Sequence, residues 1–145
     1  MSDLDSPSVP DLDGASSVEL RTSASPALIP TIRAVASDLA ARADFDLDAI
    51  SDLRMAVDEA CATLVDVAAA ESSLLCTFLV RADRIEVHAV VQTDSADTKV
   101  STDTFGWRVL QTLADDVALE HGGNEDGTGS TVGITLTKHA GDLPR

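Results

Sequence analysis

The stretch from Leu47 to Ala70, LDAISDLRMAVDEACATLVDVAAA, contains neither glycine nor proline and carries the longest unbroken helical pattern in the chain. Ile50, Leu53, Val57, Ala60, Cys61, Leu64 and Ala68 recur at spacings of three and four. At 3.6 residues per turn they form one apolar stripe. Glu59, Thr63 and Asp66 fall roughly opposite that stripe. One face is therefore built to pack, and the other presents a carboxylate with a hydroxyl one turn later. Any fold for this chain has to cover the first face and leave the second accessible. Asp46 or Asp48 would serve as the N-cap.

Around this helix the remaining pattern predicts short strands and shorter helices. Val18 and Leu20 alternate with Ser17, Glu19 and Arg21, the signature of a strand with one buried face. Ser25 and Pro26 can open a helix, but Pro30 lacks a donor and is best placed near a helix start. A helix from about Pro30 to Arg42 is expected, with Leu28, Ile32, Val35 and Leu39 on its apolar side. Beyond the long helix, SSLLCTFLVRADRIEVHAVVQ reads as a hairpin turning at Ala82-Asp83-Arg84. Residues 93–103 have loop composition. FGWRVLQTLADDVALE reads as a further amphipathic helix with Val109, Leu110, Leu113, Ala114 and Val117 inward. HGGNEDGTG is then a loop, and Val132, Ile134 and Leu136 mark a last strand from about Ser130 to Thr137. The order β-α-α-β-β-α-β predicts an α+β two-layer sandwich, with helices on one face of a mixed, mostly antiparallel sheet. Residues 1–15 are expected to be disordered, 16–138 to form the domain, and 139–145 to be a polar tail.

Composition narrows the function. The 145 residues suffice for one domain with a real core. A formal charge of −15 disfavours binding to nucleic acid or to an anionic membrane surface. The acidic N-terminus lacks a leader-like apolar run, and no segment approaches a membrane span, so a cytoplasmic protein is expected. Cys61 and Cys76 lie in apolar stretches without CxxC spacing and read as buried free thiols. His88, His121 and His139 make no metal-ligand pattern. The GTGST run at 127–131 is glycine-rich but lacks the P-loop spacing. Trp107, at a helix start, reads as core.

Three stretches taken together point further: VDEACATLVDVA (57–68), FGWRVLQTLADDVALE (105–120) and GSTVGITLTK (129–138). In order and spacing they resemble the anti-sigma factor/serine kinase family typified by RsbW and SpoIIAB, within the histidine-kinase-like (GHKL) ATPases. The similarity covers roughly residues 16–138 and is greatest to the shorter actinobacterial, RsbW/UsfX-like members. It implies a stress-response regulator of transcription that binds ATP with Mg²⁺. It also implies a homodimer associating through the sheet side. Such a protein captures a sigma factor and yields it to an anti-anti-sigma protein of the STAS type.

The resemblance assigns roles residue by residue. Glu59 matches the catalytic Glu that prepares the attacking hydroxyl. Thr63 stands where the family has the Asn that holds Mg²⁺, and a hydroxyl is a shorter and weaker ligand. Asp94 or Asp97 would meet the adenine amino group. The lid box is reduced to Thr104-Phe105-Gly106-Trp107, keeping Gly106. The final phosphate box survives as Gly129-Ser130-Thr131. Arg33, on the first helix, matches a position that contacts both protein partners in a relative. Losing loop glycines and changing the metal ligand together weakens phosphate handling, on which phosphoryl transfer depends. Sequestration of a sigma factor with a degenerate nucleotide site is therefore the expected function. An active serine kinase phosphorylating its STAS partner is the alternative.

Overall fold

The computed structural model describes residues 15–123 and 129–141. The expected disordered segment, apart from Ala15, lies outside the described residues, as do 124–128 of the glycine-rich loop and the last four residues of the tail. Strand β1 spans Ser16–Ser23. Ser25 then caps a single 3-10 turn, Pro26–Leu28, its hydroxyl oxygen accepting from the Ala27 amide. Helix α1 runs Ile29–Arg42 with Pro30 in its first turn, where no intrahelical donor is needed. Helix α2 spans Leu47–Val67. Of the two candidate caps, Asp46 is the one used: its Oδ1 accepts from the Ala49 amide at 2.7 Å. The helix stops three residues short of Ala70, because Ala68 turns to an extended conformation. The Ala69 amide then donates to the Gln92 carbonyl at 2.7 Å. A sheet strand thus takes over a donor that another helical turn would have used.

Strands β2 (Ser73–Val80) and β3 (Arg84–Thr93) form the expected hairpin. Helix α3 is shorter than the sequence pattern suggests, Phe105–Leu113. Residues Asp116–Gly123 form strand β4, and Ser130–His139 form β5. The sheet order is β1-β2-β3-β5-β4, and every pairing is antiparallel, so no parallel pair makes the sheet mixed. The extra strand corrects the reading of 114–120 as helix. Ala114 is already the C-cap, with ψ near 152°. Val117 and Leu119 alternate inward opposite Leu136 and Ile134. Val117 satisfies both the helical and the strand period, and pairing with β5 decides between them. Gly122 and Gly123, assigned to the loop, pair with Thr131 and Ser130. At the other end of β5, Ala140 is buried and its amide donates to the Asp83 carbonyl, so ordered structure extends past the expected start of the tail.

The helices cover one sheet face. Leu74, Cys76 and Phe78 of β2, Ile85, Val87, Ala89 and Val91 of β3, and Val132, Ile134 and Leu136 of β5 all point into one core. From the helices come Ile32, Ala36, Ala40, Leu53, Ala56, Val57, Ala60, Cys61, Leu64, Trp107 and Leu110. On α1 the buried line is Ile32, Ala36 and Ala40, while Leu28, Val35 and Leu39 are only half-buried. On α2, Ile50 and Ala68 of the expected stripe are half-buried and the rest is enclosed. Lys138 closes the lower end of the sandwich. Its Nζ donates to Asp52 Oδ2 at 3.2 Å and to the Leu113 carbonyl at 3.0 Å, tying both helices to β5. Cys61 of α2 and Cys76 of β2 are buried free thiols. The neighbouring Cys76 thiol, then burial, push the Cys61 pKa far above the ordinary thiol value. No helix among the described residues is long and apolar enough to cross a membrane.

Candidate functional site

The polar back of α2 opens onto a cavity of about 470 Å³, a size typical of small-molecule sites. Its walls are Glu59, Ala62, Thr63, Asp66 and Val67 from α2, Lys99, Val100 and Ser101 from the β3–α3 loop, and Thr104. Thr104 is the N-cap of α3, its hydroxyl oxygen accepting from the Trp107 amide at 3.1 Å. The cavity therefore lies between a helix side and another helix's N-terminus, whose amide dipoles favour negative charge.

Glu59 is engaged with that terminus. A Cβ placed on Gly106 would collide with the Glu59 carboxylate, so the carboxylate rests directly on the second residue of α3. Only a glycine leaves this room. Thr63 is committed as well: its hydroxyl donates to the Glu59 carbonyl at 2.9 Å, and the same oxygen lies 3.5 Å from Glu59 Oε2. Gly106→Ala is expected to keep stability within about 1 kcal/mol, since the far end of a flexible side chain yields cheaply and alanine is the better helix former. A thermal melt checks this. A loss of several kcal/mol would mean that the Glu59–Gly106 contact is itself part of the core.

The other expected site residues are dispersed. Asp94 and Asp97 are exposed on the β3–α3 loop, and neither lines the cavity. Gly129, Ser130 and Thr131 line a separate recess with Gln92 and Gly123. Gly129 has a φ of 72°, a conformation that suits glycine. The Ser130 hydroxyl is turned inward onto Thr93, whose own hydroxyl donates to the Ser95 carbonyl at 3.1 Å. This buried pair pins the start of the β3–α3 loop. Arg33 is not free either: Nη1 meets Asp58 Oδ2 at 2.9 Å, with both side chains about one third exposed. The pair ties α1 to α2, and Asp58 Oδ1 is buried without a partner among the described residues. Sequence reasoning missed Lys99 and Ser101 as cavity residues. A single lysine in a polar loop carries no periodic signal, and only the fold brings it opposite Glu59.

The cavity lining mixes both charges. Two carboxylates (Glu59 and Asp66), three hydroxyl side chains (Thr63, Ser101 and Thr104) and one lysine (Lys99) line the cavity. Mg²⁺ requires near-octahedral oxygen ligands at about 2.0–2.1 Å. Thr63 donates its proton to the helix and keeps its oxygen lone pairs, and the carboxylates of Glu59 and Asp66 line the same cavity. No group of three or more acidic, His or Cys side chains suited to a metal occurs among the described residues. Mg²⁺ is usually held by one or two carboxylates with phosphate and water supplying the rest, so Glu59, Asp66 and Thr63 are the residues that would hold it here.

A histidine kinase-like ATPase domain matches residues 22–136. The anti-sigma-F factors RsbW of two Mycobacterium tuberculosis strains, CDC 1551 / Oshkosh and ATCC 25618 / H37Rv, are each 37% identical over 138 residues. The alignments cover 94% of this chain and 82% of each relative. The chain belongs to the RsbW-type family of histidine kinase-like ATPase domains. The five antiparallel strands and three helices are consistent with the histidine kinase-like fold.

Proposed function

We propose that the chain is an anti-sigma factor that sequesters an alternative sigma factor and is released by a STAS-type anti-anti-sigma antagonist. The observation that carries this reading is the 37% identity, over 94% of the chain, to relatives named as anti-sigma-F factors. Capture of a partner needs surfaces rather than phosphate chemistry, so it survives the loss of loop glycines. Arg33 is the proposed partner contact: it is partly exposed on α1 and can exchange Asp58 for a partner carboxylate. The sheet face away from the helices carries the half-buried Leu75, Leu79 and Val90. It is the proposed homodimer surface.

Purified protein incubated with the alternative sigma factors of its source organism is expected to retain one of them, and the STAS antagonist is expected to displace it. Arg33→Ala should weaken retention at least tenfold while lowering stability by no more than about 1 kcal/mol, as for a half-exposed ion pair. Failure to retain any sigma factor overturns the reading.

The serine-kinase alternative is not favoured by relatives named as anti-sigma-F factors, and Glu59 in the cavity wall is the residue on which it rests. Stoichiometric transfer of labelled phosphate from ATP to the STAS partner, lost in Glu59→Ala, would establish it.

A further inference from the structure

We infer that an exposed strip of α2, carrying Leu47, Arg54, Met55 and Asp58, is where the captured protein lays an amphipathic helix that bears an acidic side chain. The inference rests on the reading of the chain as an anti-sigma factor and extends the contact surface from α1 onto α2. Leu53, Ala60 and Leu64 mark the face of α2 turned to the core, and Glu59, Thr63 and Asp66 the face turned to the cavity. At about 100° per residue, Leu47, Ser51, Arg54, Met55 and Asp58 share a third face, about 100° wide, that belongs to neither. The described residues expose three large apolar side chains, and two of them stand on this face: Leu47 at 83% and Met55 at 46%. They lie two helical turns apart, about 12 Å along the axis. That spacing matches the apolar stripe of a helix docked alongside.

Charge sets the chemistry of the partner. Arg33 reaches from α1 to Asp58, and Arg54 lies one turn before Asp58 on α2 itself. One carboxylate thus stands between two guanidiniums, and Arg54 makes no ion pair among the described residues. Whichever arginine Asp58 holds, the other keeps a surplus positive charge. Asp58 Oδ1 has no partner among the described residues, which leaves an acceptor for Arg54 when Arg33 turns to the partner. The chain carries 25 acidic against 10 basic residues, so most of its surface repels an acidic segment while this strip attracts one. Methionine and arginine are also both enriched at protein interfaces.

Calorimetry with the purified sigma factor that the wild-type protein retains tests this. The double variant Leu47→Ser, Met55→Ser and the single variant Arg54→Glu should each weaken binding roughly tenfold or more. Arg108→Glu makes the same charge reversal at an exposed position of α3 and should stay within about twofold of wild type. Added salt should weaken the wild type more than Arg54→Glu. All these positions are exposed, so thermal melts should stay within a few degrees of wild type and separate lost binding from lost folding. Wild-type affinity in the double-serine variant overturns the inference. So does a loss in Arg108→Glu as large as in Arg54→Glu. A free protein that sediments as a dimer in the wild type and as a monomer in the double-serine variant would assign the strip to a second copy, and overturns it too. If the wild type retains no sigma factor, the anti-sigma reading falls and this inference falls with it.

Discussion

Leu64→Ala is expected to lower the melting temperature by roughly 5–15 °C, while Thr63→Ala, its immediate neighbour, shifts it by only a few degrees. Leu64 is fully buried in the α2 face that meets the sheet. Removing a buried leucine costs about 2–5 kcal/mol, because the lost transfer energy is joined by a cavity the packing cannot close. In a domain of this size each kcal/mol is worth about 2–4 °C. Thr63 lies on the cavity side, and its hydroxyl bonds only to its own helix among the described residues. Alanine there loses that bond but gains helix propensity, and the two roughly cancel within about 1 kcal/mol. Thermal unfolding followed by circular dichroism reads both. Equal losses in the two variants would mean that α2 is not divided into a packing face and a working face.

That division was legible in the sequence because α2 has one period over 21 residues and nothing within it competes. The same holds for β1, β2 and β3, where alternation or a continuous apolar run left one reading. The segment after α3 was not legible. Val109, Leu110, Leu113, Ala114 and Val117 satisfy a helical period, yet the chain leaves the helix at Ala114. What ends it is tertiary: the Asp115 amide donates to the Thr137 carbonyl at 2.9 Å, and an Asp115 carboxylate oxygen accepts from the His139 amide at 2.7 Å. Pairing with a strand that follows in sequence has no local signature.

The candidate site divides the same way. Glu59 and Thr63 share a helix face by arithmetic, and the cavity confirms that they share a wall. Gly106 meets Glu59 only because the start of α3 is brought against α2. The loop residues required a backbone path that composition does not encode. Asp94 and Asp97 consequently lie outside the cavity, and Lys99, with no motif to mark it, lies inside. The resemblance singled out Glu59 and Gly106, which the fold brings into contact. It could not show that Ser130 spends its hydroxyl on Thr93, or that Arg33 already holds a carboxylate.

Alkaline pH is expected to destabilise the fold through Cys61 in particular. A thiol in the unfolded chain ionises near pH 8.5. In the native protein, the neighbouring Cys76 thiol and then burial keep Cys61 protonated far above that value. Below about pH 8.5 both states hold the proton, and the full stability is present. Above it the unfolded chain releases a proton that the native state retains, so stability falls by about 1.4 kcal/mol for each further pH unit. By pH 10 the loss is about 2 kcal/mol, or roughly 4–8 °C in melting temperature. Other groups titrate over the same range, so the measurement is a difference between proteins. Cys61→Ala should melt lower than wild type at pH 7, because it leaves a small cavity. Its further decline from pH 8 to pH 10, in the presence of a reductant, should be shallower by about 2 kcal/mol. Parallel pH profiles would mean that Cys61 ionises in the native state, and that α2 is held less tightly to the sheet than its buried face implies.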